Sequence, residues 1–186
     1  MVKIIMHGCN GAMGQVISSL AEKDEELEIA AGIDLNPEQK NGYPVFSSLE
    51  ECTVQADVIV DFASAKAVDH LLDYCGQTGM PVVLCTTGLS QEQIQKVSET
   101  AEKTAVLRSA NMSLGVNLLL KMVKEAAKVL AAADFDIEIL EKHHNQKVDA
   151  PSGTALALGD SINEAMAQQY HYVYDRSSRR VKRDKK

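Results

Sequence analysis

The 186-residue chain contains no apolar run near the roughly 18 residues that a helix needs to cross a bilayer. It also lacks the layout of a cleavable signal. Met1-Val2-Lys3 leads straight into Ile4-Ile5-Met6 and a Gly-rich turn, so the expected compartment is the cytoplasm. The four cysteines, Cys9, Cys52, Cys75 and Cys85, include no C-x-x-C pair. That spacing speaks for reduced thiols and against a disulfide frame or a zinc site. Internal repeats and low-complexity segments are absent. An excess of positive charge is missing too, with 26 acids against 19 bases. Seven of those bases fall in 176–186, leaving 12 bases against 25 acids in 1–175. Phosphate backbones need a positive surface, so nucleic acid is not the expected partner. The basic tail reads as a solvated terminal segment.

What the chain does have is 45% apolar residues, enough for a packed core. Its length suits one domain or two small ones. Strand and helix patterns alternate. Residues 2–6 read as a strand. Met13, Val16, Ile17, Leu20 and Ala21 recur at helical spacing over 12–22. Alternation over 27–33 predicts a second strand, and Val45-Phe46 a short third. Residues 56–62 form a buried-type strand. The spacing over 65–78 predicts a helix with Val68, Leu71, Leu72 and Cys75 on one face. Residues 81–85 are another strand. Ser90 and Gln93 make a capping-box pattern opening a helix over 91–103. A further strand begins at Val106-Leu107 and ends near Ala110-Asn111. This order predicts an α/β fold, a parallel sheet with helices on both faces.

The pattern changes around Ser113-Leu114-Gly115, which sets a boundary between domains 1–113 and 114–186. A long helix is expected over 115–132, with Val116, Leu119, Leu120, Val123, Ala127 and Leu130 inward. A strand over 136–142, a loop over 143–152 and a helix near 153–167 complete the second domain.

Two segments carry chemistry. The first is Gly8-Cys9-Asn10-Gly11-Ala12-Met13-Gly14, a G-x-x-G-x-x-G turn between a predicted strand and a predicted helix. Glycines there let a pyrophosphate approach bare main chain at a positive helix end. Asp34 closes the second strand, placed to bond the adenosine ribose hydroxyls. Together they point to dinucleotide binding. A carboxylate at Asp34 repels a 2′-phosphate, and Leu35 follows with no arginine beside it. The expected cofactor is NADH, with NADPH left open. Cys85-Thr86-Thr87-Gly88 and Ser109-Ala110-Asn111-Met112 lie at strand C-termini, where such sheets bind ligands.

The second segment is Glu141-Lys142-His143-His144-Asn145-Gln146-Lys147-Val148-Asp149-Ala150-Pro151-Ser152-Gly153-Thr154-Ala155. Adjacent histidines offer proton donors near neutral pH. Lys147 supplies positive charge. Ser152-Gly153-Thr154 opens a helix whose N–H groups and hydroxyls suit a carboxylate. His-His adjacency lacks the i,i+4 spacing of a helical zinc pair, so no metal is expected.

The segments HGCNGAMG, DFAS, CTTG, SANMSLGVN and EKHHNQKVDAPSGTA together resemble the 4-hydroxy-tetrahydrodipicolinate reductase (dihydrodipicolinate reductase) family of lysine and diaminopimelate biosynthesis. The resemblance covers most of 1–165. It implies a Rossmann-like cofactor domain and a second, smaller α+β substrate domain that assembles a homotetramer. By matching positions it implies His143 as general acid, with Lys147 as its partner. His144, Ser152, Gly153 and Thr154 would hold a cyclic dicarboxylate. Gly8 to Met13 (Gly8, Cys9, Asn10, Gly11, Ala12, Met13), Asp34, Cys85, Thr86, Thr87, Ser109, Ala110, Asn111 and Met112 would line NAD(P)H. Members of the family continue well past the point where this chain stops, so truncation of the substrate domain is expected. The alternatives are a non-catalytic NAD-binding module and another Rossmann-type amino-acid dehydrogenase.

Overall fold

A computed structural model describes residues 1–109, 111–145, 147 and 150–175. The chain divides into two compact units, Met1–Ala110 and Asn111–Lys186. No helix among the described residues is long and apolar enough to cross a membrane.

Unit 1 is a six-stranded parallel sheet with the order β3-β2-β1-β4-β5-β6. The strands are β1 (Val2–His7), β2 (Leu27–Ile33), β3 (Val45–Phe46), β4 (Val58–Asp61), β5 (Val82–Leu84) and β6 (Val106–Arg108). Helices α1 (Ala12–Ala21), α2 (Ala65–Thr78) and α3 (Gln91–Ala101) make the crossovers. This is the Rossmann-like order, which reverses direction between β1 and β4 and opens a crevice at the strand C-termini.

Strand alternation divides the core between the two faces of the sheet. On one face, Ile5, Ile59, Val82 and Leu84 meet Val68, Leu71, Leu72 and Cys75 of α2 and Val97 of α3. These α2 residues are the stripe expected from their spacing. On the other face, Met6, Cys9 and Tyr43 are buried, with Ile17 of α1 against them. The capping box at α3 is formed in both directions, with Gln93 N–H donating to Ser90 Oγ and Ser90 N–H to Gln93 Oε1.

Helix α1 corrects the sequence expectation. Its buried residues are Gly14, Ser18 and Ala21, while Met13, Val16 and Leu20 are exposed. Close approach decides this. A Cβ on Gly14 would lie 2.4 Å from the Gly8 carbonyl oxygen, and Ser18 Oγ bonds both Gly14 O and Tyr43 Oη at 2.7 Å. At Gly14 and Ser18 only small side chains fit beneath the helix, so Met13, Val16 and Leu20 turn outward while Ile17 and Ala21 keep the expected inward face.

In unit 2 the described elements are α4 (Leu114–Ala132) and α5 (Gly153–Ala165), which pack against each other. The inward face of α4 is narrower than expected. Ala127 is buried and Val116, Leu120 and Val123 are half-buried, but Leu119 and Leu130 are exposed. The expected strand over 136–142 is not formed. A ladder needs a partner for its N–H and C=O groups, and no strand among the described residues pairs with this segment. Ile137 and Ile139 remain about two-fifths exposed, at 39% and 43%.

Candidate functional site

The Gly-rich turn leaves β1 through Gly8, whose φ of 79° lies in the left-handed region. A Cβ there would sit 2.9 Å from Ala63 Cα and from the Phe62 carbonyl oxygen. Together with the clash at Gly14, this keeps two positions of the turn free of side chains. Helix α1 opens at Gly11 without a side-chain cap. Its first-turn N–H groups are therefore left for an anion. Bare main chain and an uncapped helix start are what a pyrophosphate requires, so these residues fit a dinucleotide.

Asp34 closes the same region. Its carboxylate accepts the Asn10 N–H at 2.9 Å and the Asn36 N–H at 3.1 Å. Asn10 Nδ2 donates to the carbonyls of Asn36 (2.7 Å) and Glu38 (2.9 Å). Asn10 therefore straps the turn to the loop after β2. Cys9 contributes only main chain to the turn's surface, because its thiol is fully buried. Burial, with the Asp34 carboxylate adding to it, pushes that thiol up to about 11. Ala12 and Met13 are exposed at the start of α1.

Beyond β5, Cys85 is buried and its thiol is likewise raised to about 11, by burial and then by Asp61. Thr87 is exposed. Thr86 is buried, and its hydroxyl donates to Asp61 Oδ2 at 2.6 Å. Asp61 Oδ1 faces His7 Nδ1 at 2.7 Å. Sequence reasoning missed His7 and Asp61. The available signal was an acid inside the apolar run Val58-Ile59-Val60-Asp61, since an acid is rarely buried without partners. Ser109 follows β6 and is half-buried. Ala110 lies outside the described residues.

In unit 2, His143 Nε2 lies 2.8 Å from Glu141 Oε2, and Glu141 Oε1 accepts the Ser152 N–H at 2.9 Å. Hydrogen bonds from Ser152, and then from His143, hold the Glu141 carboxyl down at about 2. Ser152 is also the N-cap of α5, accepting the Ala155 N–H at 3.0 Å. One carboxylate thus ties the first histidine to the start of α5. Sequence reasoning missed Glu141 as well. Its signal was the i, i+2 spacing to His143, which puts both on one side of an extended segment.

Thr154 Oγ1 accepts Asn111 Nδ2 at 3.3 Å, which joins two expected ligand positions 43 residues apart in unit 2. Gly153 is the first residue of α5, and Met112 is half exposed. The Lys147 N–H donates to the His144 carbonyl at 3.3 Å, a turn that keeps these two residues close. Gln146, Val148 and Asp149, within the HHNQKVDAPSGTA stretch, lie outside the described residues, as does the basic tail 176–186.

Residues 2–112 match the family model described as "Dihydrodipicolinate reductase, N-terminus", and residues 115–185 match "Dihydrodipicolinate reductase, C-terminus". The 4-hydroxy-tetrahydrodipicolinate reductase of Caldanaerobacter subterraneus subsp. tengcongensis is 47% identical over 183 residues, covering 98% of this chain and 72% of the relative. That of Clostridium tetani is 42% identical over 186 residues, covering 99% and 72%. Among solved structures, the dipicolinate-bound dihydrodipicolinate reductase from Paenisporosarcina sp. TG-14 superposes with a TM-score of 0.74. It is 30% identical, with 94% of this chain and 70% of that chain covered. The NADH complex of a WlbA dehydrogenase from Chromobacterium violaceum, at 16% identity and a TM-score of 0.55, shares the fold alone.

Proposed function

The chain belongs to the dihydrodipicolinate reductase family, and on that premise we propose that it reduces 4-hydroxy-tetrahydrodipicolinate to tetrahydrodipicolinate. The reaction adds a hydride to a ring carbon, takes up one proton and expels the ring hydroxyl as water. A reduced nicotinamide dinucleotide, when bound, supplies the hydride. Unit 1 holds it through the Gly8–Met13 turn, the α1 N-terminus and Asp34. NADH is the preferred form, because the Asp34 carboxylate repels a 2′-phosphate and no arginine accompanies it.

The observation that carries this reading is the constellation at the start of α5. Glu141 takes one ring nitrogen of His143, which leaves the other for proton delivery. The same carboxylate fixes Ser152, so the histidine and the helix N-terminus are held as one piece. The Gly153 and Thr154 N–H groups and the Lys147 ammonium then neutralise the two carboxylates of the ring acid. His144 completes the set. Neutralising a dianion and orienting it is where this chain's own residues contribute most.

The test is NADH oxidation followed by absorbance with freshly generated 4-hydroxy-tetrahydrodipicolinate. Substrate-dependent loss of absorbance, slower with NADPH, is expected. A chain that binds NADH yet never oxidises it with this substrate is instead a nucleotide-binding module.

A further inference from the structure

His7 and Asp61 are buried, titratable, and have no part in the chemistry above. They are the last residues of β1 and β4 and stand opposite each other in the parallel register, at the point where strand order reverses. Asp61 is fully enclosed, at 0% exposure. A carboxylate in that position must be satisfied by donors. Three reach it: His7 Nδ1 at 2.7 Å, Thr86 Oγ1 at 2.6 Å, and the Ala63 N–H at 3.2 Å. Main-chain bonds reinforce the same junction, from Phe62 N–H to His7 O and from Cys85 N–H to Asp61 O, each 3.0 Å. The ends of β1, β4 and β5 are therefore joined through one carboxylate, immediately beside the Gly8 turn.

The junction has a chemical consequence at Thr86. A hydroxyl carries one proton and two acceptor sites. Thr86 Oγ1 donates to Asp61 Oδ2, so the Thr86 proton is committed to that carboxyl group. Toward any ligand at the end of β5, Thr86 then offers lone pairs alone. It accepts from an N–H and repels a carbonyl oxygen. A nicotinamide carboxamide has both, an NH2 and a C=O, so a hydroxyl of fixed polarity can choose which way the ring lies.

We propose that His7 is a positioning residue that, by holding Asp61, fixes the Thr86 hydroxyl as an acceptor for the NH2 of a nicotinamide carboxamide. This rests on the reading of unit 1 as a dinucleotide site. His7 does not touch the reacting atoms; it acts through Asp61 and Thr86.

The test is calorimetry of this chain with two reduced dinucleotides. One is NADH; the other is its 3-acetylpyridine analogue, which has a methyl where the carboxamide has NH2. His7→Ala and Thr86→Val should each weaken NADH about tenfold, the size of one hydrogen bond lost. The double variant should also weaken it about tenfold, and not a hundredfold, because both changes cut the same relay. His7→Asn, which keeps a donor near the Nδ1 position, should bind within about threefold of the wild type. The acetylpyridine analogue should bind wild type and Thr86→Val equally. Cooperative thermal unfolding of each variant checks that it is folded; if His7→Ala is not, His7→Asn and the analogue comparison decide. NADH binding unaffected by Thr86→Val or by a folded His7→Ala would overturn the relay. So would a hundredfold double effect, or an analogue as sensitive to Thr86→Val as NADH is. A wild-type chain that binds neither dinucleotide would sink the dinucleotide reading and the relay with it.

Discussion

The two units hold their candidate sites by different means. Unit 1 buries twelve residues in one cluster, five of them on α2 and α3. In unit 2, Ala127 and Ile162 are the only buried apolar residues among those described, while Leu114, Leu118, Met122 and Val129 are exposed. The Gly-rich turn is main chain fixed by a sheet, and its side chains matter chiefly by being absent at Gly8 and Gly14. The α5 constellation is side chains fixed by one another, through Glu141, on a segment that joins no sheet among the described residues. A core change should therefore damage unit 1 through stability, and a polar change should damage unit 2 through chemistry.

The largest expected effect follows from that contrast. Replacing His143 by Gln keeps a polar group but removes the proposed proton donor, and should lower kcat by about 10²–10⁴-fold. NADH affinity, measured separately by fluorescence titration, should stay unchanged. A kcat near that of the wild type would remove His143 as the acid and weaken the contrast at its chemical end.

Stability gives the next effect. Ile59 is fully buried, so Ile59→Ala should cost about 2–5 kcal/mol in urea unfolding. Leu118 is 55% exposed, and Leu118→Ala should stay within about 0.5 kcal/mol. Equal losses at the two positions would mean that α4 is covered as thoroughly as the sheet, and the contrast would fail.

The smallest effect concerns pH. The Glu141 carboxyl lies at about 2 in the folded chain against an ordinary value of 4.5. Its contribution is thus full above about pH 4.5 and is lost as pH falls toward 2. Unfolding midpoints measured over this window should fall more steeply for the wild type than for Glu141→Gln. Parallel curves would show that the tie to Ser152 and His143 does not stabilise the fold.

How much of this was readable beforehand varied with the physics of each element. The α2 stripe was legible because a helix on a sheet buries whichever face is apolar, and Val68, Leu71, Leu72 and Cys75 leave no ambiguity. The α1 face was legible only in part: Ile17 and Ala21 face the core, but backbone proximity at Gly14 turns Met13, Val16 and Leu20 outward. Periodicity cannot see a carbonyl 2.4 Å from a hypothetical Cβ on Gly14. The strand over 136–142 failed for a related reason: alternation describes a strand's faces, while a ladder depends on a neighbour. In the sites, glycine spacing and Asp34 were visible as local pattern. The relay of His7, Asp61 and Thr86 was not, because its members lie 54 and 25 residues apart and meet only through strand order.

The proposed activity requires one chain to bring a reduced nicotinamide and a cyclic dicarboxylate into a single reaction. Calorimetry of NADH binding with and without pyridine-2,6-dicarboxylate tests it most directly. NADH binding about tenfold tighter in the presence of the dicarboxylate, a coupling of about 1.4 kcal/mol, is the predicted result. Identical NADH affinity with and without it, or no heat from the dicarboxylate at all, would contradict a shared reaction.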